Sequence, residues 1–160
     1  MVGVAGRFEE EVKEKYLQTT RLIERLHRRF LDVIKTELDR LGVEDINNVQ
    51  TLILFNINED QLTVGELTAR GYYLGSNVSY NVKKLVENGY LLQERSSHDR
   101  RMTRVKLAQK GLDLTLRIDQ LYARNAQELE GRFSAENLES VNKVLQGLER
   151  YWSNLVSYTP

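Results

Sequence analysis

Between Thr63 and Ala108 the chain switches repeatedly between helical and strand periodicity, and each switch is marked by residues that force it. The run Thr63-Val-Gly-Glu66 has the form of a capping box, in which a hydroxyl and a carboxylate reciprocally satisfy amide hydrogens left open at a helix start. That helix is short, because Ala69-Arg-Gly71 ends it and the glycine supplies the backbone freedom of a sharp turn. A second helix is predicted from near Ser76, with Val78, Val82 and Leu85 spaced as a buried stripe. Its opposite face carries Ser76, Ser79, Tyr80, Lys83 and Lys84, with Asn77 at the edge. Asn88-Gly89 closes this helix, Tyr90 to Arg95 resumes as a strand, and Ser96 to Arg101 makes a polar turn. Met102 to Leu107 then alternates outward polar with inward apolar positions, as a returning strand does.

Helix, turn, helix, strand, basic turn, strand is the order of a winged helix-turn-helix. That fold offers one helix to the DNA major groove and a charged hairpin to its flank. The outward groups of the second helix are hydrogen-bonding, aromatic and cationic, the kinds that read base edges and hold phosphates. The chain as a whole is formally neutral, with 23 basic and 23 acidic residues. Distribution matters more than the total. From Arg70 to Lys106 the basic residues Arg70, Lys83, Lys84, Arg95, Arg100, Arg101, Arg104 and Lys106 face only Glu87, Glu94 and Asp99, so the remainder carries an equal negative excess. A positive middle between acidic ends fits a DNA-facing module; the alternative is that these charges only solvate a surface.

The flanks extend this module. Arg7 to Leu41 contains neither proline nor glycine and forms one amphipathic pattern, with Val12, Tyr16, Thr19, Ile23, Leu26, Phe30 and Val33 at alternating four- and three-residue steps. A shorter helix is expected over Asp45 to Ile57, with Ile46, Val49, Leu52, Ile53 and Ile57 as core candidates. Gly111 to Phe133 is predicted helical, with Leu112, Leu116, Tyr122, Ala126, Leu129 and Phe133 inward, and Ser134 caps a last helix whose Leu138, Val141, Leu145, Leu148, Trp152 and Leu155 keep heptad steps. The expected class is mainly α with a small β-wing. Residues 1–44 form an N-terminal dimerisation helix, 45–108 the winged domain and 109–160 C-terminal dimerisation helices, all within one compact chain. Seams of this length call for a second subunit, which would set two recognition helices on one face of a duplex. The alternative is a monomeric bundle whose stripes pack only on each other.

Several classes of function are disfavoured. Without cysteine there is no disulfide framework, thiolate metal site or thiol redox sensor, and His27 and His98 lack the neighbours of metal-ligand motifs, so neither metal nor cofactor is expected. The longest apolar stretch, near Leu52 to Phe55, is too short to span a bilayer, and the N-terminus is acidic; a cytoplasmic protein with no membrane partner is expected. No Gly-rich phosphate loop, nucleophile elbow or paired-histidine helix points to an enzyme. A winged helix serving as a protein-interaction module remains the rival reading. Charge reversal at Lys83, Lys84 and Arg100 would leave its activity intact.

The residues resemble the MarR family of bacterial transcriptional regulators. The family's wing signature of Asp-x-Arg, then Val-x-Leu-Thr, then glycine three residues on, is matched by Asp99-Arg-Arg101, Val105-Lys-Leu107-Ala108 and Gly111, and Leu85-Val-Glu-Asn-Gly89-Tyr-Leu91 matches the entry to the wing. The likeness covers almost the whole chain, including the long terminal helices. It implies a homodimer on a pseudo-palindromic operator in double-stranded DNA. Ser76, Asn77, Ser79 and Tyr80 would lie near bases, Lys83 and Lys84 at phosphates, and Arg95, His98, Arg100 and Arg101 in the wing, with Asp99 orienting a neighbouring arginine. It also implies a small aromatic or anionic effector held near Ile34, Leu38, Leu41, Val43, Leu54 and Phe55, a cluster that reads equally as plain core. Two departures stand out: Ala108 replaces the usual threonine, removing a side-chain cap from the next helix, and Gly71-Tyr-Tyr-Leu-Gly75 replaces the common turn. The stretch Arg70 to Asn81 is similar to an alphaproteobacterial subgroup that includes regulators of an L,D-transpeptidase gene.

Overall fold

The computed structural model describes residues 4–58, 60–70, 75–95, 98 and 103–157. Along them run helices α1 (Val4–Leu41) and α2 (Asn48–Ile57), strand β1 (Leu62–Thr63), helices α3 (Val64–Ala69) and α4 (Gly75–Glu87), strands β2 (Leu91–Arg95) and β3 (Thr103–Leu107), and helices α5 (Gln109–Leu129) and α6 (Ala135–Ser157). Two compact units are distinguished, Met1–Asp119 and Gln120–Pro160. Among the described residues no helix is long and apolar enough to cross a membrane.

In the first unit, α1 runs unbroken until Gly42, whose positive φ of 71° lets Val43 N–H turn back to the Leu38 carbonyl at 2.9 Å. Helix α2 begins three residues later than the sequence pattern suggests. Asn47 is its N-cap, in a full capping box with Gln50, while Asp45 stays outside the helix and accepts hydrogen bonds from Tyr90 OH and Lys110 Nζ, both at 2.7 Å. The capping box at Thr63 and Glu66 forms as expected, and Arg70 then ties the end of α3 to α2 by donating to the Asn56 carbonyl and to Asp60, each at 3.0 Å. The three strands form an antiparallel sheet in the order β1-β3-β2, with Leu62 opposite Val105 and Leu91 opposite Leu107. The two-residue β1 is an addition to the expected two-stranded wing.

The core lies where α2, α3, α4 and the sheet meet, built on Ile53, Leu54, Ile57, Leu67, Val78, Leu85, Leu91 and Val105. Each such side chain contributes roughly 1.5–3 kcal/mol by leaving water. Helix α5 starts at Gln109, two residues earlier than predicted and without a side-chain cap at Ala108, whose carbonyl nonetheless accepts from Leu112 N–H at 2.9 Å. Its first turn passes so close to the sheet that a Cβ on Gly111 would collide with the Tyr90 carbonyl oxygen. The stripe of α5 that is buried is Leu114, Ile118 and Leu121; Leu112 and Leu116, expected inward, are exposed. On α1 only the C-terminal end, with Ile34 and Leu38, enters the core, while Val12, Leu22, Leu26, Phe30 and Val33 are exposed.

The second unit holds the end of α5 and all of α6. Helix α5 stops at Leu129 rather than Phe133, because Gly131 at φ 86° reverses the chain and Arg132 N–H bonds to the Leu129 carbonyl at 2.9 Å. Ser134 caps α6 through its Oγ, which accepts from Asn137 N–H at 3.0 Å. No residue of α6 is buried, although Leu138, Val141, Leu145 and Leu155 lie along one seam.

Candidate nucleic-acid interface

Helix α4 is set by its buried stripe. Val78, Val82 and Leu85 are each within 3% of full burial, and this fixes the direction of everything else on the helix. Asn77, Ser79, Tyr80 and Lys83 are exposed, Tyr80 to 60%, and Lys84 is half-buried with its ammonium 5.9 Å from the Tyr80 ring centre. Both lysines have a local carboxylate: Lys84 lies 3.2 Å and Lys83 4.0 Å from Glu87. These are solvent-exposed pairs one turn apart, worth a few tenths of a kcal/mol and readily exchanged for another anion. Ser76 falls in the first turn of α4. The Gln50 amide, itself buried, donates to Asn81 Oδ1 at 3.1 Å and so anchors α4 to the start of α2.

The strand register decides which wing residues share the side of α4. Val105 is fully buried, and Gln93 lies directly opposite it. Alternation therefore places Gln93, Arg95, Thr103 and Val105 on one face of the hairpin, and Leu92, Glu94, Arg104 and Lys106 on the other. Arg95 is exposed, directly across from Thr103. On the far face Lys106 pairs with Glu94 at 2.9 Å, and these contacts hold the Glu94 carboxyl below its usual range. The positive charge of the middle segment is thus not all on one surface: Arg104 and Lys106 face away from α4, and Arg70 is engaged with Asp60. Between α4 and the hairpin runs a groove of about 680 Å³ lined by Thr63, Ser79, Lys83, Gln93 and Thr103 among others. Gln93 and Thr103 are absent from the sequence-based set; counting alternate positions back from Val105 would have found Thr103, whereas Gln93 follows only from the register across the hairpin.

At the tip of the wing His98 is exposed; Asp99, Arg100 and Arg101 lie outside the described residues. The root of the wing is held by a polar hub. Tyr90 is buried, its hydroxyl donates to Asp45, Lys110 Nζ lies 4.3 Å from its ring centre, and its carbonyl accepts from Ala108 N–H at 2.9 Å. Burial, reinforced by the Asp45 carboxylate, pushes the Tyr90 phenol pKa well up.

The six residues expected around an effector differ in burial and in the cavities they line. Ile34, Leu38 and Leu54 are buried, and Leu41, Val43 and Phe55 are half-buried. Leu38 and Val43 line a cavity of about 430 Å³ with Lys35, Asp39 and Asn47, whereas Phe55 lines a groove of about 550 Å³ with Leu112, Asp113 and Leu116.

Comparison with known proteins agrees with this architecture. A model described as MarR family matches residues 44–102. The exopolysaccharide II synthesis transcriptional activator ExpG of Rhizobium meliloti (strain 1021) is 38% identical over 144 residues, covering 89% of this chain and 74% of that protein. Among solved structures, Streptococcus pneumoniae FabT in complex with DNA superposes with a TM-score of 0.72 at 18% identity, covering 88% of this chain and 99% of that one. A mutant MarR from E. coli complexed with operator DNA superposes with a TM-score of 0.68 at 20% identity, covering 84% and 95%. Identities this low bear on the fold alone, but the match to ExpG spans most of both proteins, and with the family model it establishes that the chain belongs to the MarR family of winged-helix transcriptional regulators.

Proposed function

We propose that the protein is a sequence-specific regulator of transcription that binds a pseudo-palindromic site in double-stranded DNA as a homodimer. The observation that carries this reading is the fixed outward face of α4: a fully buried Val78–Val82–Leu85 stripe leaves Asn77, Ser79, Tyr80 and Lys83 exposed, in a chain of a family of transcriptional regulators. Asn77, Ser79 and Tyr80, with Ser76, read base edges, and Lys83 and Lys84 hold phosphates. Arg95, His98, Arg100 and Arg101 in the wing reach the flanking groove or its phosphates, where the planar guanidinium suits a narrow electronegative groove, and Asp99 orients an arginine. Dimerisation is supported by the uncovered apolar stripe of α1 and by the seam of α6, which has no buried residue.

A small aromatic or anionic ligand modulates binding by preferring a dimer whose recognition helices are wrongly spaced for DNA; equal affinity for both shapes would regulate nothing. Genes of the cell surface are the targets. This is supported by the likeness of Arg70 to Asn81 to regulators of an L,D-transpeptidase gene and by the similarity to an activator of exopolysaccharide synthesis. The test is selection of bound sequences from random duplex DNA at two salt concentrations. A short inverted repeat with steep salt dependence is expected, and binding indifferent to sequence overturns the reading. Arg101→Ala is expected to weaken binding to the selected site by roughly 1–3 kcal/mol without unfolding the protein.

A further inference from the structure

The groove between α4 and the β2–β3 hairpin has a chemistry that the base-reading face does not explain. Its polar lining comes from three separate segments: Thr63 ahead of α3, Ser79 and Lys83 on α4, and Gln93 and Thr103 on the hairpin. Among the described residues one cation and no carboxylate line it, in a chain whose acids and bases are equal in number. On strand β2, Glu94 is turned to the opposite face and paired with Lys106. Among the described residues the side chains of Gln93 and Thr103 make no hydrogen bond, and Arg95 stands directly across from Thr103 on the same face. A lysine, an amide and a hydroxyl lining one groove, with Arg95 on the same face of the hairpin, supply the charge and the donors suited to a monoanion with several acceptor oxygens.

We propose that this groove seats one phosphodiester of the DNA backbone, Lys83 supplying the charge and Gln93 and Thr103 the directed hydrogen bonds. The inference rests on the DNA-binding reading above and adds to it a clamp that acts from the strands of the wing rather than from its tip. A backbone contact carries no sequence information, so its loss lowers affinity for the selected site and for unrelated duplex alike and leaves base preference unchanged. Charge and hydrogen bonding then separate in the salt dependence. Lys83→Ala removes about one unit from the slope of log affinity against log salt, because one fewer counterion is released. Gln93→Ala and Thr103→Val each weaken binding about three- to tenfold with the slope unchanged, because neutral donors release no counterion.

The experiment measures the full-length protein and these variants against the selected duplex and a scrambled one at several salt concentrations, with thermal unfolding as a check on folding. Gln93→Glu, which keeps the shape but adds a negative charge, is expected to bind both duplexes more weakly than Gln93→Ala. Placing a neutral methylphosphonate at successive backbone positions is expected to reveal one position at which parent and Lys83→Ala bind equally. Variants at Gln93 and Thr103 that bind as tightly as the parent, or that change which base is preferred, overturn the clamp while leaving DNA binding standing. A parent protein that binds no duplex overturns the DNA-binding reading and the clamp with it.

Discussion

Replacing Gly111 with alanine and Gly147 with alanine is the same chemical change in two helices, yet the structure gives the two opposite signs. Both glycines sit in helices at ordinary backbone angles, where alanine is intrinsically favoured by about 1 kcal/mol. Around Gly147 nothing lies within 4 Å of an added Cβ, and the residue is two positions from Leu145, on the far side of α6 from its apolar seam. Gly147→Ala is therefore expected to stabilise by about 0.5–1 kcal/mol. At Gly111 the new Cβ would strike the Tyr90 carbonyl oxygen, which is backbone and cannot swing aside, and would press on Leu107 Cδ2 at 3.3 Å. Forcing α5 off the sheet costs roughly 1–3 kcal/mol in overpacking. It also strains the 2.9 Å bond from Ala108 N–H to that same oxygen, worth about 1 kcal/mol. After the propensity gain is subtracted, Gly111→Ala destabilises by about 1–3 kcal/mol, or roughly 2–12 °C in Tm for a chain of this length. The assay is thermal and urea unfolding of parent and both variants at one fixed protein concentration, because association would make Tm concentration-dependent. If Gly111→Ala raises stability as Gly147→Ala does, the close approach of α5 to the Tyr90 carbonyl is refuted, and with it the reason for a glycine three residues beyond the wing.

The hub at the root of the wing makes a pH prediction. Burial alone would raise the Asp45 pKa, but hydrogen bonds from Lys110 and Tyr90 together with the Lys110 charge outweigh it and hold the carboxyl below its usual value. A depressed carboxyl pKa stabilises the fold above the unfolded value of about 3.9 and loses that contribution as pH falls through the folded value. Because the carboxylate is partly exposed and its ion pair screened by solvent, Asp45→Asn should cost a few tenths of a kcal/mol to about 1 kcal/mol at pH 7, with the gap to the parent closing below about pH 4; urea unfolding at pH 7 and pH 3 checks this, and a gap independent of pH contradicts it. Leu26→Glu on α1 removes an exposed leucine from the proposed dimer seam. Two copies at about 1.5–3 kcal/mol each raise the dimer dissociation constant a hundredfold or more, and unchanged sedimentation would place the interface elsewhere.

Much of the winged domain was legible because local chemistry and tertiary packing agree there. Thr63 and Glu66 close the predicted capping box, and Val78, Val82 and Leu85 are the buried stripe that their spacing announces. Reading failed where several local solutions were equivalent. Asp45, Asn47 and Asn48 are all competent N-caps, and the choice falls to Asn47 because Gln50 reaches back to it while Asp45 is claimed by Tyr90 and Lys110. Helix α5 carries two apolar stripes, and periodicity cannot tell which one its own core takes; Leu114 and Ile118 are buried, and Leu112 and Leu116 are left outside. Strand β1 is too short to show alternation, and its pairing with β3 depends on residues more than forty positions away. For the site, the outward residues of α4 follow from its stripe, whereas the division of wing charges between two faces needed the register that sets Gln93 opposite Val105. The wing arginines Arg100 and Arg101 rest on the motif alone.

The central proposal is that two copies of the chain hold two recognition helices against one duplex. Its most direct test is the mass, by analytical ultracentrifugation, of the complex formed with a single duplex carrying the best selected site. Two subunits per duplex, on an inverted repeat whose half-sites lie about one helical turn apart, is the expected result. One subunit per duplex at saturation, or a half-site bound as tightly as the full repeat, contradicts it.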